Sequence, residues 1–208
     1  AEAIQALEGV LALKPDSARA HGKLGTYYAV VGQRARAIEH LQAVAPCDPD
    51  DPYGHNMLGW LAYLDGDSAS AVEAFRRADE VRPFSAEINY RWGLALLKLR
   101  QWPQAETRFR QVLLIDPNHA GADQGLSHAL VQQSQFEEAV RTARRAARLT
   151  KFQNADILLS LGDAYAAAGR RADAVAALTQ ALDAAPANNP ELAARLRQRL
   201  DELRARSK

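Results

Sequence analysis

The sequence predicts an all-α protein, a solenoid built from repeated pairs of helices. Prolines recur every 34 residues, at Pro15, Pro49, Pro83 and Pro117. Small residues recur in step with them, at Ala3, Ala37, Ala71, Ala105 and Ala139. No segment shows the period-two alternation of a β-strand. A fixed period of this length marks stacked repeats that bury a continuous core between neighbours, so it outweighs any local motif.

Start and stop signals place the helices along the chain. Pro103 and Pro190 suit the first turn of a helix, and Asn154 and Asn189 suit N-caps, where a side chain accepts a hydrogen bond from a free backbone N–H. The recurring prolines end the second helix of each pair, because proline cannot continue a helix. The predicted helices span 3–13, 18–31, 35–45, 52–64, 69–81, 86–99, 103–115, 120–132, 137–149, 155–168, 172–185 and 190–205.

The period also carries a sequence signature. Three copies read "KLGTYY" with "AIEHL" and "DP", "MLGWLAY" with "AVEAF" and "RP", and "RWGLAL" with "AETRF" and "DP". Two later copies read "GLSHAL" with "AVRTA", and "SLGDAY" with "AVAAL" and "AP". This pattern resembles the tetratricopeptide repeat (TPR), whose signature is W-x2-L-G-x2-Y, then A-x3-F, then P. The resemblance implies a right-handed α-solenoid of helix-turn-helix repeats.

The repeats divide the chain into a TPR array, residues 1–189, and a capping helix with its tail, residues 190–208. Within the array we expect a partial repeat, 1–17, and five full repeats, 18–51, 52–85, 86–119, 120–154 and 155–189. The cap is indicated by a stripe of apolar residues that can cover the last exposed repeat, Leu192, Leu196, Leu200 and Leu203. A coiled-coil seam is the alternative for this stripe.

The first segment holds only the second helix of a repeat. We therefore expect the chain to be the C-terminal segment of a longer protein, and the resemblance suggests a bacterial one.

The fourth repeat departs from the pattern. Pro186 follows Pro117 by 69 residues, so one extra residue lies in "LTKFQNAD". In addition, Ser127 takes the small position and Ala143 the bulky one. We predict a looser joint at residues 149–155, with faster hydrogen exchange than at the other joints. A neutral loop insertion is the alternative.

Composition excludes several classes of function. Lys and Arg number 26 against 25 Asp and Glu, and this balance gives no reason to expect nucleic acid or an anionic membrane as the main partner. The single cysteine, Cys47, excludes an intrachain disulfide and a multi-cysteine zinc site. No apolar run is long enough to cross a bilayer. We expect a soluble segment, cytoplasmic or periplasmic, and the sequence does not choose between them.

No motif of catalysis or metal binding is present. The histidines lack H-E-x-x-H spacing, and the chain has neither a phosphate-binding glycine loop nor a G-x-S-x-G elbow. Asp48, Asp50 and Asp51 are better explained by a solvated turn than by a calcium loop. His21 and His55 stand where the repeat signature has tryptophan, so we expect them to pack against the adjacent helix. We therefore predict that the chain is not an enzyme and needs no cofactor or metal.

Arginines cluster at two places. One run lies on a second helix, at Arg141, Arg144, Arg145 and Arg148. The other lies in the tail, at Arg195, Arg197, Arg199, Arg204 and Arg206. A solvated face explains both runs most simply, and an anionic partner is the alternative. Without interleaved aromatic residues, a nucleic-acid platform is unsupported.

The family resemblance points to a binding groove. In TPR proteins the first helices line a concave surface, and the inward-facing positions of each repeat can be carried over one residue at a time. The candidate groove residues are Tyr53, Asn56, Trp60, Tyr63, Tyr90, Arg91, Leu94, Gln124 and His128. Aromatic anchors beside Asn, Arg and Gln are typical of an interaction hot spot. The alternative is that these residues pack against the helices of the next repeat.

The chaperone-binding version of this groove is disfavoured. For a groove of that kind, the resemblance implies Lys at position 5 and Asn at position 9 of one repeat. Here the first full repeat has Gly22 and Thr26 at these positions, and the second has Asn56 and Trp60. Only Arg91 could serve as a basic clamp residue.

We therefore predict a non-catalytic scaffold that binds a peptide or a segment of a partner protein in the groove. Two alternatives stay open: a self-assembling TPR oligomer, and the substrate-recruiting arm of a larger enzyme.

Overall fold

In this computed structural model, residues 2–205 are described, and within that range the chain is helical with no strand. The helices are α1 Glu2–Leu13, α2 Ala18–Val30, α3 Arg34–Gln42, α4 Val44–Cys47, α5 Tyr53–Leu64, α6 Ser68–Val81, α7 Ala86–Lys98, α8 Trp102–Ile115, α9 Ala120–Gln132, α10 Phe136–Leu149, α11 Ala155–Ala167, α12 Arg171–Asp183 and α13 Pro190–Ala205. Arg206 of the tail lies outside the described residues.

Side-chain caps begin several of these helices. The Asn154 side chain accepts a hydrogen bond from the Ile157 N–H at 3.1 Å, as the sequence predicts. The Asn189 side chain does the same for the Leu192 N–H, also at 3.1 Å. Each bond satisfies one of the free donors at a helix start, and so fixes where α11 and α13 begin.

The predicted helix 35–45 is wrong in one respect, because the structure breaks it into α3 and the four-residue α4. Pro46 is the cause. Its nitrogen cannot donate to the carbonyl of Gln42, and its ring would crowd that carbonyl. The α-helical ladder of α3 therefore ends at Gln42, and a short separate turn carries the chain to Cys47.

The chain forms two compact units, the first ending at Leu99 and the second beginning at Arg100. In the first unit, each helix packs against the next one along the chain, and the first helices of successive repeats, α2, α5 and α7, also adjoin one another. Close approach inside a repeat depends on glycine: a Cβ on Gly59 would lie 2.8 Å from the Phe75 ring. This is why a small residue and a bulky one recur together in the sequence.

The second unit is built in the same way, with α9, α11 and α13 adjoining one another. Its last helix covers the end of the unit: the leucine stripe of α13 is buried, at Leu192, Leu196, Leu200 and Leu203. In the fourth repeat, the Ser127 hydroxyl donates to the Ala139 carbonyl at 2.9 Å, and so bonds α9 to α10 where other repeats have a bare glycine.

The extra residue of the fourth repeat lies between α10 and α11. Lys151 and Phe152 both take left-handed backbone conformations, with φ of 52° and 54°. The Phe152 N–H donates to the Ala147 carbonyl at 2.7 Å, so the added residue is absorbed in a hydrogen-bonded turn. Faster hydrogen exchange at this joint stays a prediction.

Candidate functional site

Seven of the nine candidate groove residues lie on α5 and α7 of the first unit, two helices that pack side by side. We call this surface the α5–α7 face; its residues are Tyr53, Asn56, Trp60, Tyr63, Tyr90, Arg91 and Leu94.

Trp60 is the centre of the α5–α7 face. Its ring stacks on that of Tyr63, one turn along α5, with centroids 5.2 Å apart and planes 16° apart. The Arg91 guanidinium of α7 lies 5.1 Å from the Trp60 ring centroid, within the range of a cation–π contact. The indole is half-buried, so one face is held by the protein while the rest stays open to a partner.

Arg91 is fixed from several sides. Its Nη2 lies 2.7 Å from the Glu87 carboxylate, one turn back on α7. Its Nη1 donates to the Met57 sulfur at 3.6 Å. With a side chain only 20% exposed, the guanidinium is held in place before any partner arrives, so little side-chain entropy remains to be lost on binding.

Asn56 differs from the expectation that it lines the surface, because it is only 6% exposed. Its Nδ2 lies 3.4 Å from the same Glu87 oxygen that receives Arg91. Within the described residues, its Oδ1 has no hydrogen-bond partner. Asn56 thus lies beneath the α5–α7 face and helps to position Glu87, rather than presenting an amide to a partner.

Tyr53 lies at the edge of the face, where α5 meets α2. Thr26 donates its hydroxyl to the Gly22 carbonyl at 3.0 Å, so the phenol of Tyr53 is the donor in the 2.6 Å bond between Tyr53 and Thr26. A Cβ on Gly22 would lie 3.0 Å from the Tyr53 ring. The two positions that lack clamp residues, Gly22 and Thr26, therefore hold an aromatic side chain instead.

The remaining aromatic residues, Tyr63 and Tyr90, add no charge to the face. Burial raises the pKa of the Tyr63 phenol. Burial also raises the pKa of Tyr90, and the nearby Tyr63 adds to the effect. Both phenols therefore stay neutral at physiological pH and can donate hydrogen bonds. Leu94 is half-buried one turn beyond Tyr90 and extends the apolar part of the surface.

The other two candidates, Gln124 and His128, lie on α9 in the second unit. Gln124 is engaged with α11, since its Nε2 donates to the Asp156 carbonyl at 3.1 Å and to the Ser160 hydroxyl at 3.0 Å. His128 is exposed and stacks on Trp102 with centroids 5.8 Å apart.

His128 also lines a cleft of about 450 Å³ formed by residues of α9, α11 and α13. One wall of this cleft carries Arg199, which donates to Asp163 and to Glu202. The cleft belongs to the second unit and contains none of the α5–α7 face.

Comparison of the sequence with protein families decides the classification. Residues 1–61, 88–119 and 125–189 each match a family described as the tetratricopeptide repeat. The chain belongs to the tetratricopeptide repeat family. TPR proteins in general mediate protein interactions rather than catalysis.

Solved TPR structures share the fold. YrrB, described as a TPR protein with an unusual peptide-binding site, is 18% identical, with a TM-score of 0.77 over 94% of this chain and 99% of that one. MamA of Desulfovibrio magneticus RS-1 is 22% identical, with a TM-score of 0.74 over 80% and 94%. PilW, a type IV pilus biogenesis factor, is 21% identical, with a TM-score of 0.72 over 84% and 80%. The predicted fold class, an all-α solenoid of TPR helix pairs, is confirmed. No curated protein matches the chain by sequence.

Residues 2–205 contain no cluster of His, Cys, Asp or Glu suited to a metal ion. They also contain no helix that is both long enough and apolar enough to traverse a bilayer.

The arginine run on α10 is mostly exposed, as the simplest expectation has it, but two of its side chains also bond to other helices. Arg145 forms two hydrogen bonds with Asp123, at 2.7 and 2.5 Å. Arg144 donates to the Tyr165 hydroxyl, at 3.1 Å from Nε. These side chains hold TPR helices together. The sequence did not reveal these contacts because the run was treated as one surface, although Arg144 bonds to α11 and Arg145 bonds to α9.

Proposed function

We propose that the TPR chain is an interaction module that binds an extended or helical segment of a partner protein on the α5–α7 face. The indole of Trp60 is the anchor of this contact. Tyr53, Tyr63, Tyr90 and Leu94 supply the surrounding apolar surface, and Arg91 supplies a cation for an acidic or carbonyl oxygen of the partner.

The observation that carries the proposal is the way Trp60 is held. A repeat needs no large residue at this position for its own core, since Leu61 and Gly59 on the same helix are buried and Trp60 is not. The indole is nevertheless fixed between Tyr63 and Arg91. A rigid, half-exposed tryptophan loses little freedom on binding and buries much apolar area, which is the usual chemistry of a hot spot.

The description of a protein with the same fold supports an interaction role. YrrB is described as having an unusual peptide-binding site. The fold likeness shows the scaffold, and the proposal for this chain rests on its own α5–α7 face.

The experiment begins with peptides selected from a random display library on the immobilised chain, with affinities then measured by calorimetry. We expect Trp60→Ala to weaken selected peptides by about 2 kcal/mol or more, roughly thirtyfold in Kd. Helical content should be unchanged, because Trp60 is outside the buried core.

Phe84→Ala is the matched control. Phe84 is also aromatic and belongs to the first unit, but it is 77% exposed in the loop between α6 and α7. Its removal should leave the Kd unchanged. Equal affinity for the wild-type chain and Trp60→Ala would refute the assignment to the α5–α7 face.

A further inference from the structure

Position 11 of the repeat sets the second repeat apart from the others. Counted from the first residue of each full repeat, this position holds Tyr28, Ala62, Leu96, Leu130 and Tyr165. The four large side chains are all buried, at 7% exposure or less. Ala62 is partly exposed, so the second repeat lacks the bulky group that fills this place elsewhere.

Tyr28 and Tyr165 show which contacts a tyrosine makes at position 11. The Tyr28 hydroxyl donates to Glu8 of the preceding helix at 2.5 Å. The Tyr165 hydroxyl accepts hydrogen bonds from Arg144 of its preceding helix, at 3.1 Å from Nε and 2.5 Å from Nη2. Glu8 and Arg144 occupy the same position of the 34-residue period. In the helix that precedes the second repeat, this position holds Gln42.

Guanidinium groups flank both rings. Arg36 lies 5.4 Å from the Tyr28 ring centroid. Arg170 lies 4.8 Å and Arg144 lies 5.6 Å from the Tyr165 ring centroid. Each tyrosine is thus buried, has a hydrogen-bonding partner for its hydroxyl and has a cation beside its ring.

The second repeat has no ring at this position and has a cleft instead. A cleft of about 440 Å³ lies among α3, α5 and α6, and Leu58, Ala62, Ile38 and Gln42 are among its lining residues. This volume is within the roughly 300–1,000 Å³ of typical ligand pockets. Leu58 is partly exposed, whereas its counterparts Leu24, Trp92, Leu126 and Leu161 are at most 7% exposed.

The polar groups of the cleft match a phenol. Arg34 and Arg77 both line it, and each is already paired with a carboxylate, Asp65 and Glu73 respectively. Among the described residues, the Gln42 side chain makes no hydrogen bond, so its amide is available. Gln42 takes the repeat position from which Glu8 and Arg144 bond to tyrosine hydroxyls. A leucine would fill the apolar part but would leave this exposed amide bonded to water alone, whereas a phenol exchanges that water for a direct hydrogen bond.

We propose that this cleft is a second binding site, which receives a tyrosine side chain from a partner protein. The ring lies on Leu58 and Ala62, and the hydroxyl bonds to Gln42. The site shares the helix α5 with the α5–α7 face but contains none of that face's residues, so it is independent of the function proposed above.

The test uses N-acetyl-tyrosinamide, titrated into the isotope-labelled chain and followed by NMR. We expect saturable shifts at the methyl groups of Leu58, Ala62 and Ile38, with a Kd of about a millimolar, as suits so small a ligand. N-acetyl-phenylalaninamide should bind about three- to tenfold more weakly, since it lacks the hydroxyl. Gln42→Ala should remove that preference without disturbing the fold.

Ala62→Tyr supplies the blocking variant, because it restores the side chain found in the first and fifth repeats. It should abolish the shifts at the Leu58 and Ile38 methyl groups while the thermal midpoint stays equal or rises. Should the tyrosine disturb folding, Ala62→Leu, which copies the third and fourth repeats, gives the same block. Trp60→Ala should bind the amide as the wild-type chain does. Absence of saturable shifts at these methyl groups, or shifts unchanged in the folded blocking variant, would overturn the proposal.

Discussion

Arg145 and Asp123 show how much one residue pair can decide in a repeat protein. Asp123 is fully buried at the position where the repeat signature has tryptophan. Burial raises the pKa of its carboxyl group, and the hydrogen bonds from Arg145 act in the opposite direction. The Asp123 carboxylate in turn raises the pKa of Arg145. Arg145 of α10 therefore compensates the buried negative charge of Asp123 on α9, which would be costly if left unpaired.

We expect Arg145→Ala to lower the free energy of unfolding by about 2–3 kcal/mol, because it leaves the buried carboxylate uncompensated. This loss is smaller than is usual for a fully buried pair, because the Arg145 side chain is 49% exposed and water can replace it beside Asp123. Urea unfolding monitored by circular dichroism measures the change.

Arg141→Ala is the control, since Arg141 is exposed on the same helix, α10. It should change the free energy of unfolding by no more than about 0.5 kcal/mol. Adding Asp123→Asn to Arg145→Ala should recover part of the loss, because the uncompensated charge is then gone. Equal effects of the two arginine variants would contradict this account.

The sequence could not predict this pair. A repeat period assigns each residue to a helix and a face, but it does not say which side chains of one helix reach the next. The same limit explains Asn56, which family positions place on the surface and which is in fact buried beside Glu87. By contrast, Trp60 could be predicted as a surface residue, because the positions that pack within a repeat were already occupied by others.

At the scale of elements, the turn between the two helices of each repeat requires one left-handed residue. The residues with positive φ at this turn are Gly32, Gly66, Arg100, Ser134 and Gly169. Glycine adopts this conformation freely, whereas a residue with a Cβ is strained by about 1–2 kcal/mol. The fourth repeat, with Ser134 at φ 59°, therefore holds strain that the fifth, with Gly169 at φ 73°, avoids.

Two substitutions in the second unit should consequently have opposite effects. Ser134→Gly should raise the free energy of unfolding by about 0.5–1 kcal/mol, the strain relieved less the entropy of the added glycine. Gly169→Ala should lower it by about 1 kcal/mol. Nothing lies within 4 Å of a Cβ built at Gly169, so that cost is purely one of backbone conformation.

Ser134→Ala is the matched control for the first substitution, because it removes the hydroxyl and keeps the Cβ. It should give no gain in thermal or urea unfolding. A gain equal to that of Ser134→Gly would show that the hydroxyl, and not the backbone, is responsible.

For the whole molecule, the 34-residue period was sufficient to predict the fold class and the order of the long helices. It could not predict the break at Gln42, because Pro46 lies outside the recurring proline series. It also could not predict the cleft at Ala62. The signature shows that a large residue is missing there, but the exposure of Leu58 depends on how α3 and α6 pack around it.

Two histidines of the first unit make the stability of the chain depend on pH. Burial lowers the pKa of His40, and the neighbouring His21 ring, 3.0 Å away between Nδ1 atoms, adds to the effect; Arg36 acts in the same direction, and Glu8 and Glu39 oppose it.

The second histidine behaves in the same way. Burial lowers the pKa of His55, and Arg77 adds to this while Glu80 opposes it. Both rings are therefore neutral in the folded state over a pH range in which they would be protonated in the unfolded chain.

The direction of the effect follows from proton counts. Below the ordinary histidine pKa of about 6.5, the unfolded chain binds more protons than the folded chain, so acid favours unfolding. The stabilisation is fully present above about pH 6.5 and is lost as the pH falls toward the lowered pKa values. We expect the thermal midpoint to be lower at pH 5.5 than at pH 7.5. The double variant His40→Gln/His55→Gln should show a smaller drop between the same two pH values, because glutamine does not titrate. An equally large drop in the double variant would assign the acid sensitivity to other groups.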